Sequence, residues 1–111
     1  MVGTHPHVVQ GVERIGDTVV LWSLGNLMFG GTIQLSTYDA TLAQLGLRFD
    51  RFGYEGCTLR LIPILTSSRA GEKINDFHPV VAEGEDKARI LGLIQADSAM
   101  DISESMWFDA R

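Results

Sequence analysis

The chain has 111 residues, 45% of them hydrophobic and 21% charged, with a formal charge of −5. That length fits one domain or a piece of one with a core of ordinary size, and the composition excludes both a disordered tail and a disulfide-stapled miniprotein. Lys and Arg occur singly or in loose pairs such as Lys87 and Arg89, which argues against a nucleic-acid or membrane surface, since both need clustered cations, and no apolar run approaches bilayer-spanning length.

Gly3 to His7, reading GTHPH, is the most chemically loaded stretch. Pro6 pushes the residue before it, His5, out of the helical region and into an extended one. In an extended segment side chains two apart point the same way, roughly 6–7 Å between their bases. His5 and His7 therefore converge on one spot, a geometry that suits one divalent metal or one ion of a close pair. Gly3 permits close backbone approach ahead of them. Spacing alone leaves two readings open: loop histidines facing water, or part of a metal site. Two imidazoles are an incomplete ligand set, because zinc takes three or four protein ligands and harder cations want carboxylates. Glu13, Asp17 and Asp39 are available, but none stands at a spacing that marks it as the missing ligand.

Val8 to Ile15 reads as a strand with Gly11 as a possible bulge, IGDT as a tight turn, and Thr18 to Trp22 as a second strand closing a hairpin. Trp22 reads as core. Ser23 to Gly31, SLGNLMFGG, is a loop. Within it Ser23, Gly25 and Asn26 read either as turn chemistry or as site-loop contacts to a substrate. Ala40 to Asp50 alternates, with Ala43, Leu45, Leu47 and Phe49 on one face. DRFGYEG is a hairpin loop, and Cys57 to Thr66 alternates again, with Cys57, Leu59, Leu61 and Leu65 on one side. Pro63 lacks the ladder N–H, so this strand is expected at an edge or bulged near its end. Cys57, the lone cysteine, reads as a buried small residue. Thr66 to Val81 is a polar connection, and His78 reads as a turn residue.

From Gly84 to Ala99 the period turns helical: Ala88, Leu91, Ile94 and Ser98 form a stripe with Ile90 and Leu93 beside it. Glu85 and Arg89 stand at i,i+4 spacing. Asp101 to Arg111 has no period and is either a loose tail, flexible over 100–111, or packs Trp107 and Phe108. The whole reads as α+β, mainly antiparallel strands with one C-terminal helix.

The segment VGTHPHVVQGVERIGDTVVLWSLGNLMF resembles the bacterial capsule-synthesis CapA family, associated with poly-γ-glutamate, in its G-x-H-P-H-V-x-Q-x-x-E run, short hairpin and S-L-G-N. INDFHPVVAEGEDKARILGLI is similar to that family's closing N-D-x-x-P segment and final helix. The resemblance implies the C-terminal part of a calcineurin-like metallophosphatase double-sheet sandwich, with 1–111 as part of a single domain. It implies His5 and His7 as metal ligands for manganese, zinc, iron or magnesium. The superfamily's earlier Asp-rich and Asn-His motifs are not in this sequence, so the metal site is expected to be incomplete and the chain inactive alone. For the parent protein the resemblance implies a place in the bacterial envelope beside capsule-polymer synthesis proteins, either as a metal-dependent phosphoesterase-like hydrolase or as a non-catalytic structural or binding component. Removing half of a sandwich would expose the face bearing Ala43, Leu45, Leu47 and Phe49 with Cys57, Leu59 and Leu61. A homo-oligomer through that face is then expected, unless the Gly84–Ala99 helix covers it.

Overall fold

The alternating runs fold into two antiparallel sheets with one helix, an α+β arrangement, in a computed structural model that describes residues 1–110. β1 (Val12–Ile15) and β2 (Thr18–Leu21) form a two-stranded hairpin, in register from Val12↔Leu21 to Ile15↔Thr18. β1 is shorter than the apolar run that announces it. Val9 makes an isolated bridge to Leu24, and the Gly11 N–H donates to the Asp97 carboxylate at 2.7 Å. A regular ladder therefore starts only at Val12.

β3 (Asp39–Asp50) and β4 (Gly53–Leu65) form a long hairpin, paired from Asp39↔Leu65 to Asp50↔Gly53. The turn contracts to Arg51 and Phe52, and the Asp50 carboxylate accepts the Phe52 N–H at 2.7 Å. A bulge leaves Glu55 without a partner between Arg48↔Gly56 and Phe49↔Tyr54.

β4 is the central strand, which corrects the expectation drawn from Pro63. β5 (Val80–Val81) pairs with its Ile64–Leu65 end, and β6 (Ser105–Asp109) pairs with Gly56 to Arg60. Pro63 stands opposite Thr41, whose N–H turns away to the Leu24 carbonyl at 2.9 Å. On its other side Pro63 lies between the stretches paired with β6 and β5, and its carbonyl accepts the Ala82 N–H at 2.9 Å. The ring thus occupies a place where no ladder donor is called for. The bulge sits at the far end of the hairpin.

The stretch 100–111 holds β6, so it is not loose over Ser105–Asp109: Phe108 lies opposite Cys57 and is buried with it, and the Arg48 guanidinium lies 4.7 Å from the centre of the Trp107 ring. Arg111 lies outside the described residues.

α1 (Gly84–Ala96) stops three residues before the expected Ala99 because Asp97 and Ser98 serve β1 instead. The Asp97 carboxylate takes the Gly11 N–H at 2.7 Å and the Ser98 hydroxyl takes the Val12 N–H at 2.9 Å. Ile90 and Ile94 are fully buried, while Leu93 is half exposed. Arg89 does not pair with Glu85. Its guanidinium is forked between Asp39 at 2.6 Å and Asp86 at 2.5 Å, and these carboxylates, Asp39 foremost, push its pKa upward.

The core joins Val12 and Leu21 of the first hairpin, Cys57, Leu59 and Leu61 of β4, Phe108 of β6, and Ile90 and Ile94 of α1. The helix and the β1–β2 hairpin thus cover the sheet face over β4. Leu45, Leu47 and Phe49 of β3 remain 49%, 60% and 63% exposed. The far half of the long hairpin projects, giving extents of 51 × 24 × 24 Å and a radius of gyration of 15.1 Å, against about 13 Å for a compact chain of this length.

Candidate functional site

His5 and His7 share one open depression at the surface, with ring centres 6.0 Å apart and planes inclined by 51°. They reach it on a bent backbone: φ is 102° at His5 and 62° at His7. This corrects the extended segment expected from Pro6. A residue before proline avoids the helical region, and here His5 does so through positive φ, a conformation of order 1–3 kcal/mol costlier for a residue with a Cβ. The segment is pinned on both sides. The Gly3 N–H donates to the Leu21 carbonyl at 2.7 Å, and Val9 bridges Leu24. At Gly3 a Cβ would stand 2.3 Å from the Trp22 carbonyl oxygen, so only glycine lets the chain lie this close to the end of β2.

The loop after β2 supplies the opposite wall. Ser23 is buried and does not line the depression; its hydroxyl accepts the Gly25 N–H at 3.3 Å and its carbonyl accepts the Gln10 N–H at 3.0 Å. Gly25, at φ 74°, passes so near β3 that a Cβ would be 2.7 Å from the Asp39 carbonyl oxygen. That turn presents Asn26 to the histidines, and its Oδ1 lies 2.7 Å from His7 Nδ1. Phe29 meets the His7 ring edge-on, with centres 5.4 Å apart at 80°. Thr4, His5, His7, Asn26, Met28 and Phe29 are among the residues around this space of about 540 Å³.

Behind the loop lies a polar bracket that sequence reading passed over as a connection. The Thr66 hydroxyl donates to the Asn26 carbonyl at 2.5 Å. Asn75, 2% exposed, donates through Nδ2 to the carbonyls of Phe29 at 2.7 Å and Thr32 at 2.9 Å. The Asn75 backbone N–H reaches the Ile33 carbonyl at 2.8 Å. Its neighbour Asp76 accepts from the Ser67 hydroxyl at 2.9 Å, the Ser68 N–H at 3.1 Å, the His78 N–H at 3.0 Å and the Ser68 hydroxyl. The Ser68 hydroxyl foremost, with the other donors, lowers the carboxyl pKa to about 2. The signal was present as Thr66-Ser67-Ser68 closing an apolar strand and Asn75-Asp76 standing across from it.

The remaining candidates are engaged elsewhere. Glu13 accepts the indole N–H of Trp22 at 3.0 Å, and Trp22 itself is 43% exposed, not core. Asp39 holds Arg89. His78 is exposed and lies outside the depression. Among the described residues no three His, Cys, Asp or Glu side chains converge as a metal cage. The two imidazoles fit a borderline transition metal in donor chemistry. They fall short in number. Among the described residues no helix is long and apolar enough to cross a membrane.

No curated protein and no solved structure matches the chain. A family model does match: residues 1–31 are similar to the bacterial capsule synthesis protein family PGA_cap. Those residues include His5, His7, Ser23, Gly25, Asn26 and Phe29, so the matched segment and the walls of the depression are largely the same stretch of chain.

Proposed function

We propose that this chain carries the histidine half of a divalent-metal site in a protein of bacterial capsule or poly-γ-glutamate synthesis. The observation that carries the reading is the pair of positive-φ histidines, strained and surface-exposed on one depression, within the segment similar to the capsule synthesis family. Backbone strain of this kind persists where surroundings over-determine it, and it clusters at functional sites. His5 and His7 are the ligands, and His7 binds through Nε2 because Nδ1 faces Asn26. His5 and His7 would hold a divalent ion there, and its Lewis acidity would suit hydrolysis of a phosphoester or similar bond. The further donors come from other polypeptide, either another part of a calcineurin-like domain or a second copy. In this reading the protein acts at the bacterial envelope with capsule-polymer synthesis proteins, and this chain alone hydrolyses nothing.

The shortfall in ligands also favours a second reading, in which the site binds a component of an envelope polymer assembly without catalysis. Zinc and manganese titrations followed by NMR test the site itself. The expected result is weak binding that perturbs the His5 and His7 ring signals together and leaves His78 untouched, with no turnover of a phosphodiester. Rings indifferent to zinc, manganese, iron and magnesium alike would remove the metal reading. Tight stoichiometric binding with metal-dependent turnover would show that the ligand set is complete in this chain or its oligomer.

A further inference from the structure

We infer that Asn26 is a positioning residue that fixes the tautomer of His7, holding its proton on Nδ1 so that the Nε2 lone pair is presented to the depression. The inference deepens the metal reading above and rests on it for its purpose, though not for its test.

The chemistry is set by which atoms meet. Asn26 Oδ1 stands 2.7 Å from His7 Nδ1, and an amide oxygen only accepts, so the ring nitrogen facing it must carry the proton. In a neutral imidazole the other nitrogen is then the bare one. Free histidine prefers the opposite arrangement, with the proton on Nε2, so the contact reverses an intrinsic preference. Metal-binding histidines in general need such a partner on the far nitrogen, because it fixes ring orientation and raises ligand basicity.

Asn26 is itself held in place. Its carbonyl takes the Thr66 hydroxyl at 2.5 Å, which leaves the side chain to face the histidine. The turn at Gly25, bridged to Ala40 of β3, sets the direction in which the chain continues to residue 26. On the other side of the ring, Phe29 packs edge-on against His7 and limits its rotation. His7 thus has one polar partner, one packing wall and one nitrogen left over. The acceptor lies 19 residues from its histidine, across the whole β1–β2 hairpin, so the pairing depends on the hairpin's length and not on local sequence.

Long-range proton–nitrogen NMR of the metal-free protein, about two pH units above the ordinary imidazole pKa of ~6.5, reads the tautomer of each histidine directly. His7 is expected to show Nδ1–H as its main form, with His78 showing Nε2–H in the same spectrum. Asn26→Leu, which has no acceptor, should return His7 to the Nε2–H form while the amide pattern of β3 and β4 stays native. Asn26→Asp, which restores an acceptor in the same place, should return it to Nδ1–H. A merely structural role would not move the tautomer with the acceptor in this way. Nε2–H on His7 in the wild-type protein overturns the inference, as does a tautomer unchanged in folded Asn26→Leu. Because the wild-type spectrum is decisive by itself, a leucine variant that fails to fold leaves the test intact. No metal is present in the experiment, so a failed metal titration counts against the proposed function and not against this positioning role.

Discussion

Asp76 shows what single residues do behind the depression. Four donors converge on its carboxylate and hold its pKa at about 2. An unfolded aspartate titrates near 3.9, so the folded state gains from the ionised form at every pH above about 4, and that gain is lost as pH falls toward about 2. In Ser68→Ala the largest donor is gone. Its Asp76 midpoint should rise toward the ordinary value in an NMR titration, and the drop in stability between pH about 4 and about 2 should shrink. Gly25 makes a sharper case, because Gly25→Ala adds a Cβ 2.7 Å from the Asp39 carbonyl oxygen at φ 74°. A loss of about 2 kcal/mol or more is expected by urea unfolding, from the left-handed backbone together with the clash. A variant as stable as the parent would mean that the loop sits elsewhere in solution. Such residues were unevenly legible. His-Pro-His announced convergence of its rings by spacing, but on the wrong backbone, since Pro6 bars one conformation without choosing among the others. The reach of Asn26 to His7 was invisible because it crosses a hairpin whose length no local pattern gives.

Among elements, the loop from Asn26 to Ile33 is positioned mainly by partners outside itself. The Asn75 amide and backbone N–H hold the carbonyls of Phe29, Thr32 and Ile33, and Thr66 holds that of Asn26. Asn75→Leu therefore leaves two carbonyls without their donor inside the protein, at about 1–3 kcal/mol for each buried group left unsatisfied. Hydrogen exchange should quicken across 26–33 and its bracket while β3 and β4 keep their protection. Uniform loosening of the whole chain would instead make Asn75 a core residue of the fold. The long strands β3 and β4 were legible because apolar alternation runs for many residues in each. β6 was not, since Met106, Trp107 and Phe108 form one continuous apolar triplet, and its strand character comes from pairing with β4. The end of α1 was misplaced for a similar reason. Ser98 continues the helical stripe in sequence, yet its hydroxyl is drawn to Val12 N–H.

For the whole molecule the decisive fact is that the core lies toward one end and the long hairpin runs past it. Ile90, Ile94, Val12 and Leu21 join Cys57, Leu59 and Leu61 in the core, so the β4 half of the face expected to seek a second copy is covered within the chain, while Leu45, Leu47 and Phe49 of β3 stay exposed. What remains open is the outer side of β3, an edge strand whose only sheet partner among the described residues is β4. Thr41 turns its N–H outward to the Leu24 carbonyl, and the two-residue period of a strand then directs the backbone groups of Ala43, Leu45 and Leu47 outward too. No strand receives those three. An antiparallel pairing of two such edges centred on Gly46 sets Leu45 against Leu47 of the second copy and Gln44 against Arg48, so no like charges face each other. Neither a proline nor a lysine blunts the stretch from Ala43 to Asp50, and those are common guards of exposed edges. Self-association through β3 is the expected behaviour at high micromolar concentration, read as a dimer mass by light scattering. Leu45→Lys places a charge opposite the second copy's leucine and should restore the monomer without disturbing the core, because Leu45 is 49% exposed. A wild-type protein that stays monomeric at that concentration would show that water alone satisfies the edge. A dimer indifferent to Leu45→Lys would place the contact elsewhere, with the exposed Phe49, Phe52 and Tyr54 at the hairpin tip as the next surface to change.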